Sequence, residues 1–283
     1  MIEALLENEA QLRISVFLLV LLLMALWEVT SPCRRRDIPR LLRWSNNLAI
    51  VALDALLVRL LFPVVAVGIA VIAQQNGWGL LNLITLPLWL AVLISVLLFD
   101  LAIYLQHVVF HAVPALWRLH RMHHADLEFD VTTGLRFHPI EIALSMGIKM
   151  MLVLVFGPPA VAILLFEIVL NASAMFNHSN IRLPNRLDRL LRLVMVTPDM
   201  HRVHHSDIPA ETHSNFGFNL PWWDRIFGTY IAQPRKGHQG MTIGLPRFRT
   251  RRDLWLDRML MQPLRGDEDG GAPTRDPSPP PSN

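Results

Sequence analysis

Residues 97–124 read LLFDLAIYLQHVVFHAVPALWRLHRMHH, an apolar run that ends in five histidines. His107 and His111 stand four apart, and His120, His123 and His124 follow the i, i+3, i+4 pattern. A helix brings such positions onto one face, so each stretch aims two or three imidazoles at one point. The same pattern returns at His201, His204 and His205, with single histidines at His138 and His178. Packed imidazolium cations would repel one another, whereas neutral imidazoles can share a metal cation. The clusters therefore read as metal ligands. His213 and His238 have no neighbour at ligand spacing and read as surface or substrate-side residues.

One divalent first-row ion takes about four to six ligands, fewer than the imidazoles available, so two ions are implied. Imidazole suits zinc, iron, copper and nickel alike. A ligating histidine donates its other N–H to a carboxylate or carbonyl, and Asp126 and Asp199 are the preferred carboxylates for that task. The one cysteine, Cys33, excludes an internal disulfide, a CxxC zinc site and a cysteine-ligated cluster. The H-E-x-x-H pattern, the G-x-S-x-G elbow, the Walker loop and G-x-G-x-x-G are all absent from the sequence. Hydrolysis and nucleotide chemistry lose their usual parts.

Outward from this centre the chain is too apolar for a water-soluble domain, with 52% hydrophobic residues. Residues 12–30 are long enough to span roughly 30 Å of hydrocarbon. They lack a basic leading segment and a cleavage site, and acidic Glu3, Glu7 and Glu9 precede them, so they read as an anchor. Arg34, Arg35, Arg36, Arg40 and Arg43 follow directly. Basic residues there fit lipid headgroups better than nucleic acid, and they put that end in the cytoplasm. A second span covers about 48–73, kinked at Pro63, with Asp54 and Arg59 read as a mutual pair or as snorkelling charges. A third, about 80–106, delivers His107 and His111 to the cytoplasmic side.

The next apolar region, 140–176, is broken by Gly157-Pro158-Pro159 into two arms, so it starts and ends on one side. His138 and His178 stand at its two feet, which brings them into the ligand set. Residues 185–195 form a basic amphipathic helix for the headgroup layer, and 249–262 form another, anchored by Trp255. The fold expected is all-α: a multi-span helical membrane protein with a cytoplasmic, histidine-rich helical cap. Residues 1–96 make the transmembrane anchor region, 97–234 the catalytic domain, 235–265 an amphipathic segment and 266–283 a disordered tail.

Several further stretches carry a resemblance. Leu116-Trp117-Arg118, Asp130-Val131-Thr132-Thr133, Arg136-Phe137-His138-Pro139, His178-Ser179-Asn180 and Thr197-Pro198-Asp199-Met200-His201 surround the histidines. Asn215-Phe216-Gly217 and the run from Trp223 to Tyr230 follow them. From about Leu97 to Pro234 the chain resembles the membrane fatty acid hydroxylase and sterol desaturase superfamily, in its bacterial branch. Val108 departs from relatives that carry arginine beside the first histidine, and the fused cytochrome b5 domain of some members is absent from this sequence.

The resemblance implies a non-haem di-iron centre that activates dioxygen to hydroxylate or desaturate a lipid, with zinc able to replace iron in purified protein. Its ligands would be His107, His111, His120, His123, His124, His201, His204 and His205, with His138 and His178 completing the set. Electrons would come from an external ferredoxin, cytochrome or reductase, since the sequence holds no redox-cofactor motif of its own. The location implied is an integral membrane, the inner membrane if the cell is bacterial. Two other classes fit a histidine-rich membrane protein: a metal transporter, and a zinc-dependent membrane hydrolase.

Overall fold

A computed structural model describes residues 2–266, so the tail assigned to 266–283 lies, from 267 onward, outside the described residues. The architecture is all-helical, as the apolar runs predict. A short helix α1 (Ile2–Glu7) leads into α2 (Glu9–Thr30), then α3 (Arg40–Leu61), α4 (Ala66–Gln75), α5 (Leu88–Ala112) and α6 (Pro114–His124). Next come α7 (Pro139–Phe156), α8 (Ala160–Asn177), α9 (Asn185–Leu191) and α10 (Pro198–His204). Short helical turns complete the cap between 209 and 264.

Among the described residues, five segments are long and apolar enough to cross a membrane: Glu9–Thr30, Arg40–Leu83, Leu88–Ala112, Pro139–Phe156 and Ala160–Asn177. The second is interrupted, because Pro63 lacks an amide hydrogen and α3 stops at Leu61 before α4 resumes at Ala66. The third starts later than expected, with a single 3-10 turn over Leu80–Leu83 before α5. On α2, Ile14, Leu18 and Leu22 are 60%, 56% and 57% exposed. A row of large apolar side chains that would be costly in water is at ease in hydrocarbon, which makes this an integral membrane protein.

The helices close around the α7–α8 hairpin: α2 and α5 pack on α8, α3 packs on α7, and α4 lies against both. Gly157 makes that hairpin, since its left-handed φ of 60° ends α7 and a Cβ there would collide with the carbonyl oxygen of Trp78. Prolines 158 and 159 then start α8, where a missing amide hydrogen costs nothing. A core of Ala66, Val67, Ala70, Phe99, Val153, Ile163 and Phe166 fills the crossing of α4, α5, α7 and α8.

At the opposite end of the hairpin the charges turn inward. Arg43 is fully buried and grips Asp126 with two bonds, Nε to Oδ1 at 2.8 Å and Nη2 to Oδ2 at 2.7 Å, while its Nη1 reaches Asp130. Glu28 accepts the backbone N–H groups of Val131 and Asn180 and pairs with Arg36 and Arg40. The arginine cluster assigned to lipid headgroups is thus largely spent on the protein: Arg34 donates to the carbonyls of His238 and Met241. A buried carboxylate demands a partner more strongly than a headgroup layer does. These bonds weld α2 and α3 to the histidine-bearing cap.

Candidate metal centre

The turn at Val113-Pro114 folds α6 back on α5, so the faces carrying His107/His111 and His120/His124 meet. Helix α10 comes in from the other side, held at its start by Thr197, whose hydroxyl accepts the Met200 N–H. His178 follows the last residue of α8. Nine histidines converge in two groups, His107, His111, His120, His124 and His204 in one and His123, His178, His201 and His205 in the other. Within each group one ring nitrogen per residue lies within 4.8 Å of all the others, and every member is buried.

Outer hydrogen bonds decide which nitrogen faces inward. His107 Nδ1 donates to the carbonyl of Phe216 at 2.8 Å, His204 Nδ1 to Ser214 at 2.7 Å and His178 Nδ1 to Ala174 at 2.7 Å. A carbonyl only accepts, so the proton of each neutral ring sits on Nδ1 and its Nε2 bears a lone pair. Yet His107 Nε2 faces His204 Nε2 at 3.1 Å. His178 Nε2 faces His123 Nε2 at 3.1 Å and His201 Nε2 at 3.0 Å. Opposed lone pairs repel unless a cation lies between them.

Added protons are a poor remedy. Burial pushes His120 and His178 down to about 3, and burial with neighbouring imidazoles holds His123, His124, His201, His204 and His205 well below the usual range. Both ring nitrogens of His111 and of His205 are buried without a hydrogen-bond partner, as are single nitrogens of His123, His124 and His201. Orphaned imidazole nitrogens in two compact groups fit a pair of metal ions, one held by five histidines and one by four.

Residues 92–229 match the fatty acid hydroxylase family. Ornithine lipid hydroxylase OlsE of Rhizobium tropici is 29% identical over 149 residues, 53% of this chain and 44% of its own length. The histidine-bearing region of the chain is thus a match to the fatty acid hydroxylase family. Alkylglycerol monooxygenase of Xenopus tropicalis is 29% identical over 186 residues, 64% of this chain and 40% of its own, and that of Homo sapiens is 28% identical over 154 residues, 53% and 32%. The chain spans less than half the length of these relatives. No solved structure matches it.

One expected ligand lies outside both groups. His138 caps α7, its Nδ1 accepting the Ile140 N–H at 3.2 Å while its Nε2 donates to the carbonyl of Leu260 at 3.3 Å. Both nitrogens are spent away from the metal groups. Standing at the foot of the hairpin is a statement about a backbone, and the cap fixes where the ring points. His213 and His238 also fall outside the groups, His213 against His111 and Trp117 and His238 beside Arg202 and Asp199.

The carboxylates fall differently from expectation as well. Asp126 is held by Arg43, Thr133 and Asn47, and Asp199 by Arg202, so neither bonds a clustered histidine. Arginine competes better for a carboxylate than a neutral imidazole does. The carboxylate that does hold a histidine is Glu141, whose Oε1 lies 2.6 Å from His120 Nδ1. Its place in the first turn of α7, directly after His138-Pro139, was the signal available in the sequence. Trp117 is buried on His111 and His124 and forms an inner wall of the site.

A cavity of about 640 Å³ opens from His107 and His120 into the spans. Phe110, Phe137 and Phe218 line its histidine end, with Gly134 and Leu135, and Phe17, Leu18, Val51 and Val58 carry it along α2 and α3. Its wall is mainly apolar and its volume suits an alkyl chain.

Proposed function

We propose that this protein is a membrane-bound, dioxygen-dependent lipid monooxygenase with two irons, one held by His107, His111, His120, His124 and His204 and one by His123, His178, His201 and His205. The overall reaction is RH + O2 + 2 electrons + 2 protons to ROH + H2O. One observation carries the reading: two groups of facing imidazole nitrogens adjoin each other, and the five-histidine group opens through His107 and His120 onto an apolar cavity that runs into the bilayer-exposed helices. Iron held by these histidines would relay the two external electrons and offer the open coordination position needed to activate dioxygen. The two lipid-oxygenating relatives favour hydroxylation over desaturation.

The chain's own residues bind, orient and exclude. Phe216, Ser214 and Ala174 accept the outer N–H of three histidines, and Glu141 stands at the outer nitrogen of His120, which keeps the inner nitrogens basic and correctly aimed. Phe137 stacks on His123, Phe129 on His178, and Phe216 packs on His107, His111 and His204, which keeps bulk water out. The apolar cavity holds the alkyl chain with its reacting C–H near His107 and His120. An external ferredoxin, cytochrome or reductase supplies the electrons, and the site lies on the cytoplasmic side, the inner membrane being the location in a bacterium. Residues 97–234 are the catalytic unit and 1–96 the anchor region.

The test is comparative lipid mass spectrometry of cells with and without the gene, grown under isotopically labelled dioxygen. The reading requires a lipid that gains one labelled oxygen only when the intact gene is present. Activity that persists without dioxygen or with zinc as the sole bound metal would overturn it.

A further inference from the structure

Besides the Gln106–Ser145 pair and Asn171, charged side chains reach the cavity in two places. Deep along α7, Lys149 donates to Glu167 Oε1 at 2.6 Å, and Arg13 pairs with Glu167 Oε2 at 2.8 Å. That group is internally satisfied. In the same lining stands Asp54 of α3, only 8% exposed, with Oδ1 buried and without a hydrogen-bond partner. Arg59, the partner expected from the sequence, is exposed on the outside of α3 and forms no ion pair with it among the described residues.

A carboxyl group held without a partner in an apolar wall is costly, and a hydrogen-bond donor removes that cost. Asp54 and Glu141 line the same cavity, on helices α3 and α7 that pack against each other. Glu141 in turn contacts His120, and its own Oε2 is buried without a partner. Asp54 thus shares the cavity wall with the carboxyl that holds His120. Glu141 and Lys149 are eight residues apart on α7, about 12 Å at the helical rise. The paired charges therefore stand about two helical turns along α7 from the Glu141–His120 contact, and Asp54 is the acceptor on α3 left unpaired in the same wall.

We propose that Asp54 is a specificity-determining residue that accepts a hydrogen bond from the lipid substrate, from a hydroxyl or an amide N–H carried near the carbon that is oxidised. A purely hydrocarbon or fully capped lipid fills the same cavity but leaves this acceptor unmet. The inference rests on the cavity being the lipid site of the function proposed above.

The test measures binding to the full, detergent-solubilised, metal-loaded protein by native mass spectrometry. One probe pair is 1-O-hexadecylglycerol and its dimethyl ether; the other is N-hexadecylacetamide and its N-methyl derivative. The unmodified protein binds the donor-bearing member of at least one pair about tenfold tighter, equivalent to about 1.4 kcal/mol. Asp54→Leu brings that ratio to about one by weakening the donor probe alone, and Asp54→Asn, which keeps a neutral acceptor, leaves an intermediate ratio. Iron content and thermal midpoint confirm that each variant is folded.

Ratios near one for both pairs in the unmodified protein overturn the proposal, as does a full ratio that persists in either variant. Failure to bind any probe overturns it too. Loss of labelled-oxygen incorporation with the ratio intact would instead sink the oxygenase reading and leave Asp54's role standing.

Discussion

His138 and His178 stand alike in the sequence, at opposite feet of one hairpin, and the structure assigns them opposite roles. His178 directs Nε2 at His123 and His201, and removing its ring leaves three of four nitrogens in that group. His138 spends both nitrogens on the backbone of Ile140 and Leu260. Replacing His178 with Gln should lower bound iron from about two ions per chain to about one, since three imidazoles hold a structural ion poorly. Replacing His138 with Gln should leave two ions in place and cost about 1 kcal/mol, the usual loss for a helix cap. The assay is metal analysis by mass spectrometry on protein purified with iron supplied, beside a thermal scan in detergent. If the His138 variant loses an ion and the His178 variant keeps both, the geometric assignment is refuted.

Glu141→Leu removes the carboxylate at His120 Nδ1 and should weaken iron in the five-histidine group by about 10- to 100-fold, read from competition with a chelator; an unchanged affinity would mean His120 needs no such support. Arg43→Leu strands Asp126 and Asp130 in the buried cap and should cost about 3–5 kcal/mol of unfolding free energy in detergent, where a loss under 1 kcal/mol would refute its role as the weld. Metal-stripped protein should be most stable above pH about 6.5, the unfolded histidine value, and lose stability as pH falls toward about 3. The sign follows because burial depresses His120 and His178 to about 3, so below pH 6.5 the unfolded chain binds protons that the folded chain refuses. Each such group adds a slope of up to about 1.4 kcal/mol per pH unit, and a thermal midpoint that rises on acidification would contradict it. Gly157→Val should abolish accumulation of folded protein in membranes, because its left-handed φ and the contact with Trp78 leave no room for a side chain.

Much of the site was legible because helical periodicity is local. The i, i+3, i+4 spacing put His120 and His124, or His201 and His205, on one face before any tertiary contact was known, and nine of ten expected histidines meet. The membrane segments were legible for the same reason, since a run of apolar residues needs no partner to be recognised. The two misassigned carboxylates were near the histidines in sequence but nearer to arginines in space. The inward turn of Arg34, Arg36, Arg40 and Arg43 was hidden likewise, because Glu28, Asp126 and Asp130 reach them only after the chain folds.

By itself, then, the sequence determined the all-helical spanning architecture, the hairpin at Gly157 and an all-imidazole donor set, each a consequence of residue type and short-range spacing. Only the tertiary structure decided the division of nine histidines into five and four, the tautomers fixed by Phe216, Ser214 and Ala174, the capping role of His138, and the unpaired Asp54 in the cavity wall. The direction of a ring or a carboxyl is set by the partners that packing brings to it. Those partners can lie 122 residues away, as Leu260 does from His138.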